Sequence, residues 1–265
     1  MAAKGFISYW WLPIISALVW VGMLLGLLLH WVIDDDHQPY DYEDPKVRVV
    51  FISNIGAGNL QPLFIAGSCI SCFFLDASML ASRWLKHHGR LVPNDTPGQL
   101  WLAILTIIFA IIGTAGLILL SIFDTKNHHR LHYIFLLFFL GGYMLSAIFT
   151  CWEYQRLGIK HRDQRDLRTS FWIKLVIVLV ETALAVGFVS TTFTKHRNTA
   201  AIIEWTVAFL FTFFILSFII DLYPAVYTKS HANRYEKRSP QDVEEAASGA
   251  NSPHCQSHTN TTGAF

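Results

Sequence analysis

Charge is what this sequence is short of. Asp, Glu, Lys and Arg make up only 15% of its 265 residues, against about a quarter in an ordinary soluble domain. The deficit is explained if much of the surface faces lipid. Cysteine is scarce as well, with four residues too few and wrongly placed for a disulfide framework. Cys69 and Cys72 fall inside an apolar run, where CxxC spacing at helical pitch reads as packing. Cys151 closes another run beside a basic segment and is a candidate for palmitoylation. There is no HExxH signature, and Gly56 and Gly58, which permit tight turns, are not followed by the Lys-Ser/Thr pair of a phosphate loop. No internal repeat is present. The opening 33 residues lack a charged n-region, short apolar core and small-residue cleavage site in succession, so they are expected to be a retained span. The net charge of +1 gives no reason to expect a nucleic-acid partner. Neither a metal nor a cofactor is expected.

Long apolar runs fill the space the charges leave. A hydrocarbon core of about 30 Å needs about 20 apolar residues in a helix, and six runs qualify: 9–33, 62–83, 100–122, 131–153, 171–193 and 201–223. Each must be helical, because a backbone crossing lipid has to satisfy its own hydrogen bonds. Pro13 and Pro62 sit in first turns, where a missing N–H costs little, and Pro224 closes the last run. Trp10, Trp11, Trp31, Trp84, Trp101, Trp152, Trp172 and Trp205 fall near run ends, as expected of interfacial anchors. The predicted fold is all-α, a six-span polytopic membrane bundle over 1–228 with a disordered cytosolic tail over 229–265.

The cations then give a direction. Thirteen Lys and Arg residues fall on one side of such a bundle, six on the other, and Lys174 lies within a span. The positive-inside rule predicts both termini in the cytosol. "DDDHQPYDYEDPK" and "SIFDTKNHHRLHYIF" would then look outward, and the sequons at Asn94 and Asn260 would lie inside and stay unmodified. The cytosolic loop "QRLGIKHRDQRDLR" carries Arg156, Lys160, Arg162, Arg165 and Arg168. Such cations contribute about 1 kcal/mol each near anionic head groups; they also fix topology.

Charged side chains within spans mark functional positions by default. Asp76, Glu153, Lys174 and Asp221 lie toward the cytosolic ends, where snorkelling or pairing with Lys174 would make them structural. Glu181 lies near mid-membrane, seven residues after Lys174 and on roughly the same face. An interhelical bond or a contact to lipid or substrate would each account for it. On the outer side, Asn54, Asp124, His128, His132 and Glu204 form a candidate polar cluster. Asp124, His128 and His132 would share a face if their stretch were helical. That supply is adequate for zinc, which needs three protein ligands in a catalytic site. Asp124 with Thr125 and Asn127 also has the composition of a capping turn, and a non-metal cluster, either structural hydrogen bonds or a lipid-headgroup contact, is the preferred reading.

The order of "FISNIGAGNLQPLFI" before the second run, "FDTKNHHRLHYIF" between the third and fourth, and "IIEW" opening the sixth resembles a known membrane family. That family joins Frag, the damage-regulated autophagy modulators, the fungal suppressor-of-four-kinase (Sfk) proteins and the amino-terminal part of Cwh-type proteins. The resemblance spans roughly 9–227, and the fungal Sfk branch is the most similar. Asn54, Gly56, Pro62, Asp124, His132, Glu204 and Trp205 match its motifs, although Asn54 stands where an acidic residue is expected. The resemblance implies a plasma-membrane protein without an established catalytic activity. It would support phosphatidylinositol 4-kinase placement and phospholipid asymmetry, with phospholipids and a phosphatidylinositol 4-kinase complex as partners. The modulator branch implies lysosomal residence instead, and the Frag branch GPI-anchor lipid remodelling. The rival from another class is a lipid-modifying enzyme using Asp124, His128, His132 and Glu204. A transporter using Lys174 and Glu181 is less supported, because the runs lack paired Gly/Pro interruptions.

Overall fold

A computed structural model of the chain describes residues 9–38, 40, 47–94, 96–160 and 165–230. The predicted disorder of the tail therefore concerns residues that, from 231 onward, lie outside the described ones. Among the described residues seven α-helices follow in order: α1 (Trp11–Leu29), the one-turn α2 (Ile52–Ile55), α3 (Gln61–His87), α4 (Pro97–Ile122), α5 (His129–Lys160), α6 (Arg165–Phe193) and α7 (Arg197–Leu222). A π-helical turn, His30–Asp34, extends α1, and a 3₁₀ segment, Tyr223–Ser230, follows α7. No strand occurs among the described residues. All helices but α2 are long and apolar enough to cross a membrane.

The helices outrun the apolar runs read from the sequence. α3 continues to His87 and α5 to Lys160, because a helix's hydrogen bonds do not stop where the hydrocarbon does. α4 begins on a capping box: the Thr96 side chain accepts from the backbone of Gln99, and the Gln99 side chain accepts from the Thr96 N–H.

The six long helices form a ring. α1 packs between α3 and α7; then α3 meets α4, α4 meets α5, α5 meets α6, and α6 meets α7. Lipid gives helices no hydrophobic reason to associate, so close approach and hydrogen bonds must do it. α4 and α5 touch backbone to backbone across Gly113 and Gly142, where a Cβ on Gly142 would fall 2.5 Å from Gly113 N. α1 and α3 exchange serines: Ser16 Oγ donates to Ser71 O at 2.8 Å, and Ser71 Oγ to Ser16 O at 3.1 Å. Trp20 joins α1 to α7 through Ala208 O at 2.8 Å. Across the ring, Tyr143 and Phe211 bring their rings to 5.2 Å.

The tryptophans divide. Trp11, Trp84, Trp101, Trp152 and Trp172 are exposed near helix ends, as interfacial anchors should be. Trp31 and Trp205 are buried instead. Trp205 Nε1 donates to Val50 O at 3.0 Å and so clamps the segment before α2. Proximity to a run's end cannot distinguish the two roles.

Candidate functional site

The two ends of the bundle differ, and each is built around one problem. The histidine end carries the turn between α4 and α5; the basic end carries the α3–α4 and α5–α6 connections. At the histidine end the problem is the last carbonyls of α4. A helix leaves four such groups without partners, and each is costly where water is scarce. Here Leu120 O and Phe123 O face His132 Nδ1 at 3.1 and 3.0 Å. Ser121 O and Ile122 O accept from Gln61 Nε2 at 3.4 and 3.2 Å. Two side chains thus cover four carbonyls, and facing two acceptors requires His132 to carry its proton on Nδ1.

Asp124 shapes the turn itself. Its Oδ1 accepts from Asn127 N at 2.6 Å and its Oδ2 from Asn127 Nδ2 at 2.8 Å. Thr125 Oγ1 donates to Asn54 Oδ1 at 2.8 Å, tying this turn to α2. On the neighbouring side, Glu204 Oε2 accepts from Ile52 N at 2.8 Å, and Asn198 Oδ1 from Arg48 N at 2.6 Å. The segment that runs into α2 is therefore held by α7.

The condition under which Asp124, His128 and His132 would share a face, one continuous helix, is not met. α5 starts only at His129, so Asp124 and His128 belong to the preceding turn. His128 is exposed and stacks edge-on against Phe123 at 5.3 Å. Among the described residues no three His, Cys, Asp or Glu side chains converge as metal ligands would. Gly56 also differs from the expected turn glycine. Its φ is −71°, open to any residue, and what it provides is room: a Cβ there would lie 2.7 Å from the Phe64 ring.

Beneath this end lies a cavity, open on one side to its surroundings, with about 110 Å³ of space for the centres of water-sized molecules. Its walls are mainly apolar, with Trp20, Leu136, Phe139, Leu140, Val178 and Phe211 among them, and His132, Glu204 and Glu181 also line it. Glu204 lies seven residues into α7 and Glu181 twelve from the end of α6. At 1.5 Å per residue these are about 10 and 18 Å along the helices. Glu181 Oε1 is buried and lacks a hydrogen-bond partner among the described residues.

At the basic end the problem is buried charge, solved by pairing. Lys174 is fully buried, with Nζ 2.8 Å from Asp221 Oδ2, 3.0 Å from Ser170 Oγ and 3.2 Å from Ser217 O. Lys86 Nζ meets Glu153 Oε1 at 2.8 Å, and Asn94 Nδ2 donates to the same oxygen at 2.8 Å. The Tyr154 ring stands by both ammonium groups, 4.6 Å from Lys86 and 5.2 Å from Lys174. Asp76 pairs with neither lysine; its Oδ2 accepts from Thr114 Oγ1 at 2.8 Å. The Asn94 amide, a potential glycan acceptor, is thus engaged inside the fold. Cys151 is buried, which removes it as an accessible acylation site.

Of the basic hairpin, Arg156 and Arg168 are exposed, with Arg156 over the Trp152 ring at 5.4 Å. Lys160 is the last residue of α5 and Arg165 the first of α6. Arg162 lies outside the described residues. Sequence reasoning missed Gln61, Asn198 and Ser217, whose roles depend on which backbone groups the fold leaves unpaired. Gln61 could have been suspected, since it precedes Pro62 in a matching motif.

Over residues 8–225 the chain matches the family model described as the Frag1/DRAM/Sfk1/Cwh43P N-terminal domain. It is 27% identical over 241 residues to protein sfk1 of Schizosaccharomyces pombe, covering 91% of this chain and 70% of that one. It is 28% identical over 173 residues to protein SFK1 of Saccharomyces cerevisiae, covering 55% of this chain and 49% of that one. No solved structure matches. Six apolar spans in a ring, with the matched motifs gathered at one end, are thus the work of an integral membrane protein, and the chain belongs to the Frag1/DRAM/Sfk1/Cwh43P N-terminal domain family.

Proposed function

We propose that this chain is a regulator or scaffold of plasma-membrane lipid homeostasis, with both termini cytosolic and the histidine end facing outward. The bundle holds phospholipid and so contributes to its asymmetry, and the basic end supports phosphatidylinositol 4-kinase at the membrane. The observation that carries the reading is the α5–α6 hairpin. Both helices run on beyond their apolar stretches and bring Arg156 and Arg168 out exposed at the basic end. With Lys160, Arg162 and Arg165 between them, they offer five cations within 13 residues to anionic lipid and an acidic partner surface.

The test replaces Arg156, Lys160, Arg162, Arg165 and Arg168 together with glutamine. The variant should still reach the membrane, while the fraction of phosphatidylinositol 4-kinase recruited there falls. Unchanged recruitment rejects the mechanism. A lipid-modifying centre is less favoured, because Asp124 and His132 are engaged by the turn and by the α4 carbonyls, and His128 lies apart from the cavity.

A further inference from the structure

We propose that the cavity at the histidine end binds a lipid with a primary ammonium head group, and that Glu204 and Glu181 recognise the amine. The reading deepens the proposal that the bundle holds phospholipid and does not depend on the basic hairpin. The walls call for hydrocarbon: Leu136, Phe139, Leu140 and Val178 offer a chain apolar contact and no hydrogen bonds. The charges call for an amine. Two carboxyl side chains line the cavity, and among the described residues no lysine or arginine does. Lys174, on the same helix as Glu181, is held by Asp221, Ser170 and Ser217. A phosphate lipid without an amine would bring negative charge to two carboxyl groups, whereas an ammonium supplies the opposite charge and three donors.

Glu181 sharpens the choice. Its buried Oε1 has no partner among the described residues, and an ionised carboxylate in low dielectric is strongly disfavoured until a cation joins it. Half of a bilayer's hydrocarbon core is about 15 Å, so Glu204 marks a shallow station for the amine and Glu181 one near the midplane. α6 supplies the entry side. Only 22% of its most apolar stretch is buried, against 33–44% in the other five spans, so α6 is the wall of the cavity most exposed to lipid.

The test incubates the purified chain in detergent micelles with equal amounts of four lipids, re-isolates it, and measures retained lipid by mass spectrometry. The four are phosphatidylethanolamine, a long-chain sphingoid base, phosphatidylcholine and phosphatidylglycerol. Retention of either primary amine should exceed that of phosphatidylcholine and phosphatidylglycerol by about tenfold, the scale of one charge-assisted hydrogen bond. Preference for phosphatidylethanolamine identifies a phospholipid site, and preference for the sphingoid base a single-chain site. Glu181→Gln and Glu204→Gln keep shape and acceptor oxygen but should each reduce the discrimination, while Leu140→Trp should reduce retention of every lipid by filling the space. Thermal unfolding of each variant checks that it is folded. Equal retention of the four lipids overturns the proposal, as does preference for phosphatidylglycerol or discrimination that survives both glutamine substitutions. No kinase is present, so failure here leaves the recruitment test untouched.

Discussion

Removing Asp221 should destabilise the protein more than removing both partners of its ion pair. Lys174 donates to Ser170 Oγ and Ser217 O and is ion-paired with Asp221 Oδ2 at 2.8 Å. Phe218 adds its ring face 4.7 Å from the ammonium. Asp221→Ala leaves the charge where both side chains of the pair are fully buried, and breaking such a pair from one side costs about 3–5 kcal/mol. For a chain of this size 1 kcal/mol moves the midpoint by about 2–4 °C, so the expected loss is about 6–20 °C. The double variant Lys174→Met/Asp221→Leu removes both charges and keeps the volume filled. It should recover most of that loss, since apolar replacement of a buried pair is often neutral. Thermal unfolding in one detergent of the parent, Asp221→Ala, Lys174→Met, Asp221→Leu and the double variant supplies the comparison and closes the cycle. A midpoint for Asp221→Ala within 2 °C of the parent, or a double variant no better than that single one, refutes the reasoning.

Two further outcomes separate structural from incidental residues. His132→Ala strips the cap from Leu120 O and Phe123 O and should cost about 1–3 kcal/mol, whereas His128→Ala, at an exposed ring, should stay within about 0.5 kcal/mol; thermal unfolding compares them, and equal effects would deny the capping role. Gly142→Ala forces a Cβ against Gly113 backbone and should cost about 1–3 kcal/mol, while Gly141→Ala, with nothing within 4 Å of its Cβ, should be neutral or gain up to about 1 kcal/mol of helix propensity; a reversed order in the same assay would mean that α4 and α5 do not meet there.

The spans were legible because lipid leaves the backbone a single economical answer, and apolar length reports it directly. The partners were not. Lys174 and Glu181 are seven residues apart on one helix, yet Lys174 is joined to Asp221 of α7, 47 positions away, while Glu181 lines the cavity. Nothing in the local pattern separates these outcomes, because the neighbour on the next helix decides them. The histidine turn shows the same limit. A spacing of four would align Asp124, His128 and His132 only on a continuous helix, and the α4 end interrupts it. What composition did reveal was the turn chemistry of Asp124 and Asn127, since that bond spans three residues and needs no tertiary partner.

The division of polar side chains among these duties identifies what is left over. At the histidine end His132, Gln61, Asn198 and Glu204 serve backbone groups that the helices and the segment entering α2 expose. At the basic end Lys86 with Glu153, and Lys174 with Asp221, serve each other. Such duties explain these residues by the fold alone, except Glu204, which serves Ile52 N with one oxygen and also lines the cavity. Glu181 is different: like Asp76 it has a buried carboxyl oxygen that meets no donor among the described residues, but of the two only Glu181 lines the cavity. A membrane protein retains a carboxyl at that depth against a solvation cost. If stability alone set the residue, glutamine or leucine would serve at least as well there. The substitution Glu181→Gln should accordingly leave the unfolding midpoint unchanged or raise it while lowering lipid discrimination. A midpoint lowered as far as that of Asp221→Ala would return Glu181 to the structural group.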